Sequence, residues 1–208
     1  IFIDLKINKK ILNKLLRDNI EDTFNSISVD SDTSTSDTLA IFSLNQNKIN
    51  LKSKVNYETL KNSLREVMHE LSLKIIKDGE GLSKLIKVNV YKSKTKQQAK
   101  NIGFSICNSP LVKTAIAGED SNWGRVVMAI GKLNEKIDQN KIKISFGNNK
   151  VCSNGSISKN INLPKLNKYM KNKIIEINVW LNNGNKNHTV YGNDLNYKYI
   201  KINADYRS

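Results

Sequence analysis

Helical and strand periods alternate along the whole of this 208-residue chain, and no internal repeat or Pro/Gly/Ser-rich linker interrupts them. Each helix or strand of that kind hides one apolar face, so the natural solution is a sheet covered by helices. Ile11, Leu12, Leu15, Leu16, Ile20 and Phe24 recur at helical spacing and predict a helix over 8–25. A turn-rich SVDSDTSTSDT (28–38) follows, and then an apolar strand LAIFSL (39–44). Asn56 is placed to cap a long helix carrying Leu60, Leu64, Val67, Met68, Leu71 and Ile75, with Gly79 as a left-handed stop. LIKVNVYK (85–92) alternates like a half-buried strand, and helices over 95–107 and 123–132 bracket a polar loop. KIKISFG (141–147), IIEINVWL (174–181) and NYKYIKI (196–202) read as further strands, with a short helix after Pro164. Residues 182–187 read as a surface hairpin loop, and His188 falls in a polar loop. The expected architecture is α/β or α+β in a single region, 1–208.

The length allows one substantial core or two small ones. No run approaches the roughly 18 apolar residues of a membrane helix, and no basic-then-apolar leader opens the chain. A net charge of +15 raises the question of nucleic acid or an anionic membrane. Only four of the 34 basic residues are arginine, however, and the lysines are spread over nearly every segment. Nucleic-acid readers cluster their charge and favour the arginine fork, so lysine and asparagine enrichment here reads as compositional bias. No nucleic-acid or membrane partner is expected. Cys107 and Cys152 are far apart and read as two reduced, buried thiols of a cytoplasmic protein. With His69 and His188 isolated, no metal-ligand spacing occurs and no metal is expected.

Four segments carry more chemistry than their local structure needs. SPLVKTAIAGEDSNWGR (109–125) packs Glu119, Asp120, Asn122, Trp123 and Arg125 around Gly118 and Gly124, as a functional loop entering a helix would. Capping by Asp120 or Ser121 would account for only one of these residues. VDSDTSTSDT (29–38) offers hydroxyls and acids that hydrogen-bond their own backbone, the property of a plain solvated turn as well as of a built loop. KDGEGLSK (77–84) holds Glu80 between two glycines just past a helix end, a place where turn residues outnumber ligands. YGNDLNYKYIKINADYRS (191–208) brings a specific, polar sequence to a chain end, where fraying is the usual outcome.

Taken in order, these four segments resemble the motifs of the bifunctional glutamate N-acetyltransferase (ornithine acetyltransferase) family of arginine biosynthesis, and they span nearly the whole chain. The family patterns read VDGDTSTND-T, DGEGATK and WG-DLTYDYVRINADYRT at the corresponding places. Departures are Ser31 for glycine, Leu82 and Ser83 for an Ala-Thr pair, Ala117 for an aromatic, Ser121 for proline and Ser208 for the terminal threonine. None of them removes a charged or amide group assigned to chemistry.

The resemblance implies a four-layer αββα sandwich completed by an α chain cut autocatalytically from the same precursor, assembled as a heterotetramer. It implies acetyl transfer from N-acetylornithine to glutamate by a ping-pong route through an acetyl-threonine, with no cofactor, acetyl-CoA being a co-substrate for some members. The threonine hydroxyl needs a base, which its own α-amine can supply, and the family's opening sequence places that residue about five positions before Ile1. On this reading the chain is a slightly truncated β chain, catalytically incomplete alone and poorly soluble without its partner. Glu80, Asn203 and Ser208 fall on substrate-contacting positions of the family. Glu119, Asp120, Asn122 and Arg125 are expected to shape the pocket or an interface. Two other readings stand beside it: an amidase or aminopeptidase of related fold using water as acceptor, and a degenerate, non-catalytic homologue or basic binding module.

Overall fold

The computed structural model describes residues 1–206, which form two compact units, Ile1–Asn25 with Asp32–Lys74, and Ser26–Ser31 with 75–206. In the first unit, β1 (Phe2–Leu5) pairs in parallel with β2 (Phe42–Asn47), with the Phe2 and Phe42 rings stacked at 5.1 Å. Helix α1 (Lys9–Ile20) starts at Asn8, whose side chain accepts the Ile11 N–H. Leu15, Leu64 and Met68 pack with Ile7 into a small core, joined by Leu12, Leu16 and Leu60. Leu60, Leu64 and Met68 belong to helix α2 (Lys54–Lys77), and the buried Asn19 amide ties α1 to it through the Leu15 and Lys61 carbonyls.

Three sequence expectations shift here. The first helix ends at Ile20 and not at 25: the Thr23 hydroxyl takes the Asn19 carbonyl at 2.8 Å, and a single 3-10 turn, Phe24–Ser26, follows. The strand expected at 39–44 lies at Phe42–Asn47, because Leu39 and Ile41 are spent on the core and the polar residues pair with β1. Asn56 does not cap α2. The helix begins at Lys54, the Ser53 hydroxyl accepts the Asn56 N–H, and Asn56 bonds the Asn50 carbonyl.

The second unit is built on a six-stranded mixed sheet. Its strands are β3 (Leu85–Ser93), β4 (Lys143–Phe146), β5 (Asn149–Ser153), β6 (Ser156–Ile157), β7 (Ile174–Trp180) and β8 (Lys186–Asn193), in the order β6-β5-β4-β7-β3-β8. β3 runs parallel to β7 and antiparallel to β8. Ile86, Val88 and Val90 of β3, with Ile175, Ile177 and Val179 of β7, join the main core, where full burial contributes about 1.5–3 kcal/mol per side chain. On the alternate positions a polar row crosses four strands: Thr189 donates to Asn89, Asn89 to Asn178, and Asn178 to Ser145. Helices α3 (Lys96–Cys107), α4 (Pro110–Ala117), α5 (Trp123–Gly131) and α6 (Leu163–Met170) start at Thr95, Ser109, Asn122 and Asn162, each accepting a first-turn N–H. Gly103 lets α3 approach β8, since a Cβ there would lie 2.5 Å from Val190. Both cysteines are buried and free. No helix among the described residues is long and apolar enough to cross a membrane.

The largest correction falls at the chain end. NYKYIKI is not a strand but the start of helix α7 (Tyr197–Asp205), capped by Asn196, whose side chain accepts the Lys198 N–H at 2.9 Å. The alternation that suggested a strand is solvent-facing, with Tyr197, Ile200 and Ile202 all exposed. The place beside β3 is taken by β8, and His188 is not in a loop: it is buried opposite Val90, its Nε2 2.8 Å from the Ser26 hydroxyl.

Candidate functional site

The site is assembled where the end of β8 meets the start of β3, inside the second unit. After α2 the chain makes two tight turns, Gly79 N–H to the Ile76 carbonyl and Leu82 N–H to the Gly79 carbonyl. The left-handed residue is Gly81 (φ 68°) and not Gly79. Gly81 also lies against the backbone of α7: a Cβ there would meet the Tyr199 nitrogen at 2.3 Å. The turn therefore presents Glu80 outward beside α7. Asn203, one turn on from Tyr199, donates to the Glu80 carboxylate at 2.6 Å and to the Tyr199 carbonyl at 3.1 Å. Two residues 123 positions apart thus form one exposed pair. With Nδ2 of Asn203 engaged twice, what the pair offers a ligand is oxygen: the Glu80 carboxylate and Asn203 Oδ1.

Beneath this pair lies a set of buried charges. Asp194, 2% exposed, accepts the Ser83 and Lys84 N–H groups at 2.8 and 2.9 Å, the Ser83 hydroxyl, and the Asn196 amide at 3.2 Å. Asn196 in turn donates to the Gly81 carbonyl at 2.8 Å. Lys84 is also buried, and its Nζ donates to the Met170 and Asn172 carbonyls and to Glu119 at 2.9, 3.1 and 3.2 Å. Lys113 is buried on α4, donating to the Val29 carbonyl and to Asn193. Burial lowers the Lys113 pKa from its ordinary 10.5, opposed by the charges of Cys107, Asp30 and Asp194. Burial also pushes the adjacent Cys107 thiol up to about 12. Asp30, the residue after Val29, accepts from the Tyr199 hydroxyl at 3.2 Å, so the 29–31 segment is tied to both α4 and α7.

The 109–125 loop divides between two tasks. Glu119 takes a left-handed conformation (φ 59°) as α4 ends, with its N–H on the Ile116 carbonyl, and its side chain reaches Lys84. Asp120, Asn122 and Arg125 form a local bracket. Asn122 caps α5 by accepting the Arg125 N–H and donates to Asp120 at 3.0 Å. Arg125 donates to the Leu111 carbonyl at 2.8 Å and to Thr114, locking α5 onto α4. The cap is therefore Asn122, and neither Asp120 nor Ser121 serves as one. Glu80 and Asn203 come together, Glu119 is bonded to the buried Lys84 and not to that pair, and the other three hold the helices. Ser208 lies outside the described residues. The sequence reading passed over Lys84, Lys113 and Asp194, although each stands inside a segment it singled out. Lys113 is the most legible, as a lone cation within the apolar run LVKTAIA.

The mixed α/β fold of this chain is also that of a known structure. The crystal structure of the arginine biosynthesis bifunctional protein ArgJ from Bacillus halodurans matches with a TM-score of 0.92 at 31% identity, covering 99% of this chain and 98% of that one. The ArgJ family matches across residues 1–208, and the chain belongs to that family. It is 45% identical over 208 residues to the arginine biosynthesis bifunctional protein ArgJ of Bartonella henselae, covering 99% of this chain and 51% of the relative. The ArgJ protein of Bradyrhizobium diazoefficiens is 41% identical over 214 residues, with 100% and 52% covered. The chain thus spans about half the length of the curated relatives it matches.

Proposed function

We propose that this chain is the β portion of a glutamate N-acetyltransferase of arginine biosynthesis, moving an acetyl group from N-acetylornithine to glutamate. The observation that carries the reading is the Glu80–Asn203 pair, joined at 2.6 Å, which brings two of the four motif segments together. Such a pair of oxygen acceptors suits an amino group, whether the free side-chain amine of N-acetylornithine or the glutamate amine that takes up the acetyl group. A covalent acetyl-enzyme, formed from the donor and discharged by the acceptor, is what makes the transfer ping-pong. The nucleophile is a threonine upstream of Ile1, released by self-cleavage of a longer precursor, and an α chain from that precursor supplies the oxyanion donors. Ser208 belongs to the same substrate-contacting set as Glu80 and Asn203. Exclusion of water from the acyl-enzyme separates transfer from hydrolysis.

Intact mass measurement of the full-length gene product, with and without N-acetylornithine, tests the reading. Two chains, with one acetyl group added to the chain containing residues 1–208 and removed again by glutamate, is the expected result. Acetyl release to water at a rate glutamate does not raise would point instead to an amidase. An uncut chain that never takes up acetyl would overturn the proposal.

A further inference from the structure

We infer that Asp194 is a positioning residue which aims Glu80, and through it sets the affinity for the amino-acid substrates; this rests on the substrate-contacting reading of Glu80 above. The argument starts from where Asp194 stands. It directly follows β8, whose Asn193 is paired with Leu85 at the start of β3, so its backbone is fixed to the central sheet at the point where the Glu80 turn enters it. Its own N–H donates to the Lys84 carbonyl at 3.0 Å. Its carboxylate then meets four donors, the Ser83 and Lys84 N–H groups on Oδ1 and the Ser83 hydroxyl and Asn196 amide on Oδ2. A buried carboxylate met by four donors is a fixed geometric reference, because any movement of the turn leaves a charge unsatisfied in a place water does not reach.

Asn196 extends that reference to Glu80. The same amide that donates to Asp194 also donates to the Gly81 carbonyl, and Gly81 abuts the Tyr199 backbone. Asn203 bonds both the Tyr199 carbonyl and the Glu80 carboxylate. Asp194 therefore fixes both sides of the pair, the turn that carries Glu80 and the start of the helix that carries Asn203. Asp194 touches neither member of the pair.

The test uses full-length protein and steady-state kinetics with both substrates, comparing Asp194→Asn, Glu80→Gln and the double variant. In Asp194→Asn one oxygen still accepts the Ser83 and Lys84 N–H groups, and the Ser83 hydroxyl can turn to accept from the new amide. The Asn196 amide then faces another donor and lets go of the turn. The expected outcome is a KM raised about tenfold for both N-acetylornithine and glutamate with kcat changed far less, the pattern of lost uniform binding. The double variant should be little worse than Glu80→Gln alone, because losing the aim and losing the contact are one loss. Additive effects, or an unchanged KM in Asp194→Asn beside a raised KM in Glu80→Gln, would overturn this inference alone. An unchanged KM in Glu80→Gln would sink the reading of Glu80 itself. If Asp194→Asn does not fold, Ser83→Ala decides: it removes one bond to Asp194, and an unchanged KM there overturns the inference.

Discussion

The buried charges Lys84, Lys113 and Asp194 and the exposed pair Glu80–Asn203 obey opposite rules. The buried set is fully committed: each cation donates to two or more fixed oxygens and Asp194 is met by four donors. Its members contribute to stability by not being left unpaired, which is the costly state for a buried polar group. The exposed pair is joined by one bond at 2.6 Å, with a second from Asn203 to the Tyr199 carbonyl, in a place where water competes for every bond. It adds little to the fold and keeps its oxygen acceptors available. The division separates the residues that hold the loops together from those whose acceptors stay open to solvent.

Four substitutions would break or sharpen this contrast. Lys84→Met should act most strongly on folding, about 3 kcal/mol in urea unfolding of the full-length protein, because two carbonyls and Glu119 lose their donor together. A loss below about 0.5 kcal/mol would place Lys84 among ordinary surface lysines. Gly81→Ala should cost about 2 kcal/mol from the positive φ and the clash with the Tyr199 backbone, and it should raise KM as well, since the turn must shift away from α7. A loss of stability with unchanged KM would separate the turn from binding.

The alkaline pH dependence probes the buried side. The Cys107 thiol is raised from 9.0 to about 12 by burial, so between those values the folded chain keeps a proton that the unfolded chain has released. Stability conferred by Cys107 is therefore present below pH 9 and falls as pH rises through this window, by up to about 1.4 kcal/mol per pH unit. Lys113 works the other way, its lowered pKa making stability rise with pH up to about 10.5. Cys107→Ala should remove the first effect only, giving a shallower alkaline loss than the parent in thermal melts at stepped pH. Identical slopes would show that Cys107 titrates normally. The smallest stability effect belongs to Glu80→Gln, within about 0.5 kcal/mol of the parent, while its KM for both amino-acid substrates rises. A large loss of stability there would move Glu80 into the buried, structural group.

Much of the fold was legible because its elements are locally encoded. β3 and β7 announce themselves by alternating β-branched residues, and the limits expected for these strands and for α3 and α5 agree with the structure to within a residue or two. The short strands β1, β5 and β6 carry too few residues for a period to be visible. β8 was hidden because its sheet positions include His188 and Thr189, and both earn their place through partners, Ser26 and Asn89, that are remote in sequence. At α7 the alternation YKYIKI points to a strand, but the side chain of Asn196 caps a helix there and β8 takes the place beside β3.

The candidate site divides along the same line. Order and chemistry along the chain are enough to single out the four segments, and it is the family resemblance those segments carry that nominates Glu80 and Asn203, since a glycine-flanked acid by itself reads as a turn residue. Which side chains would be buried was not written locally. A lysine in KDGEGLSK and an aspartate in YGNDLNY look solvated until β3 and β8 pair and bring them together across 110 positions. Burial and partnership are properties of the closed sheet, and only the tertiary structure could turn Lys84, Lys113 and Asp194 from ordinary surface residues into the anchors of the site.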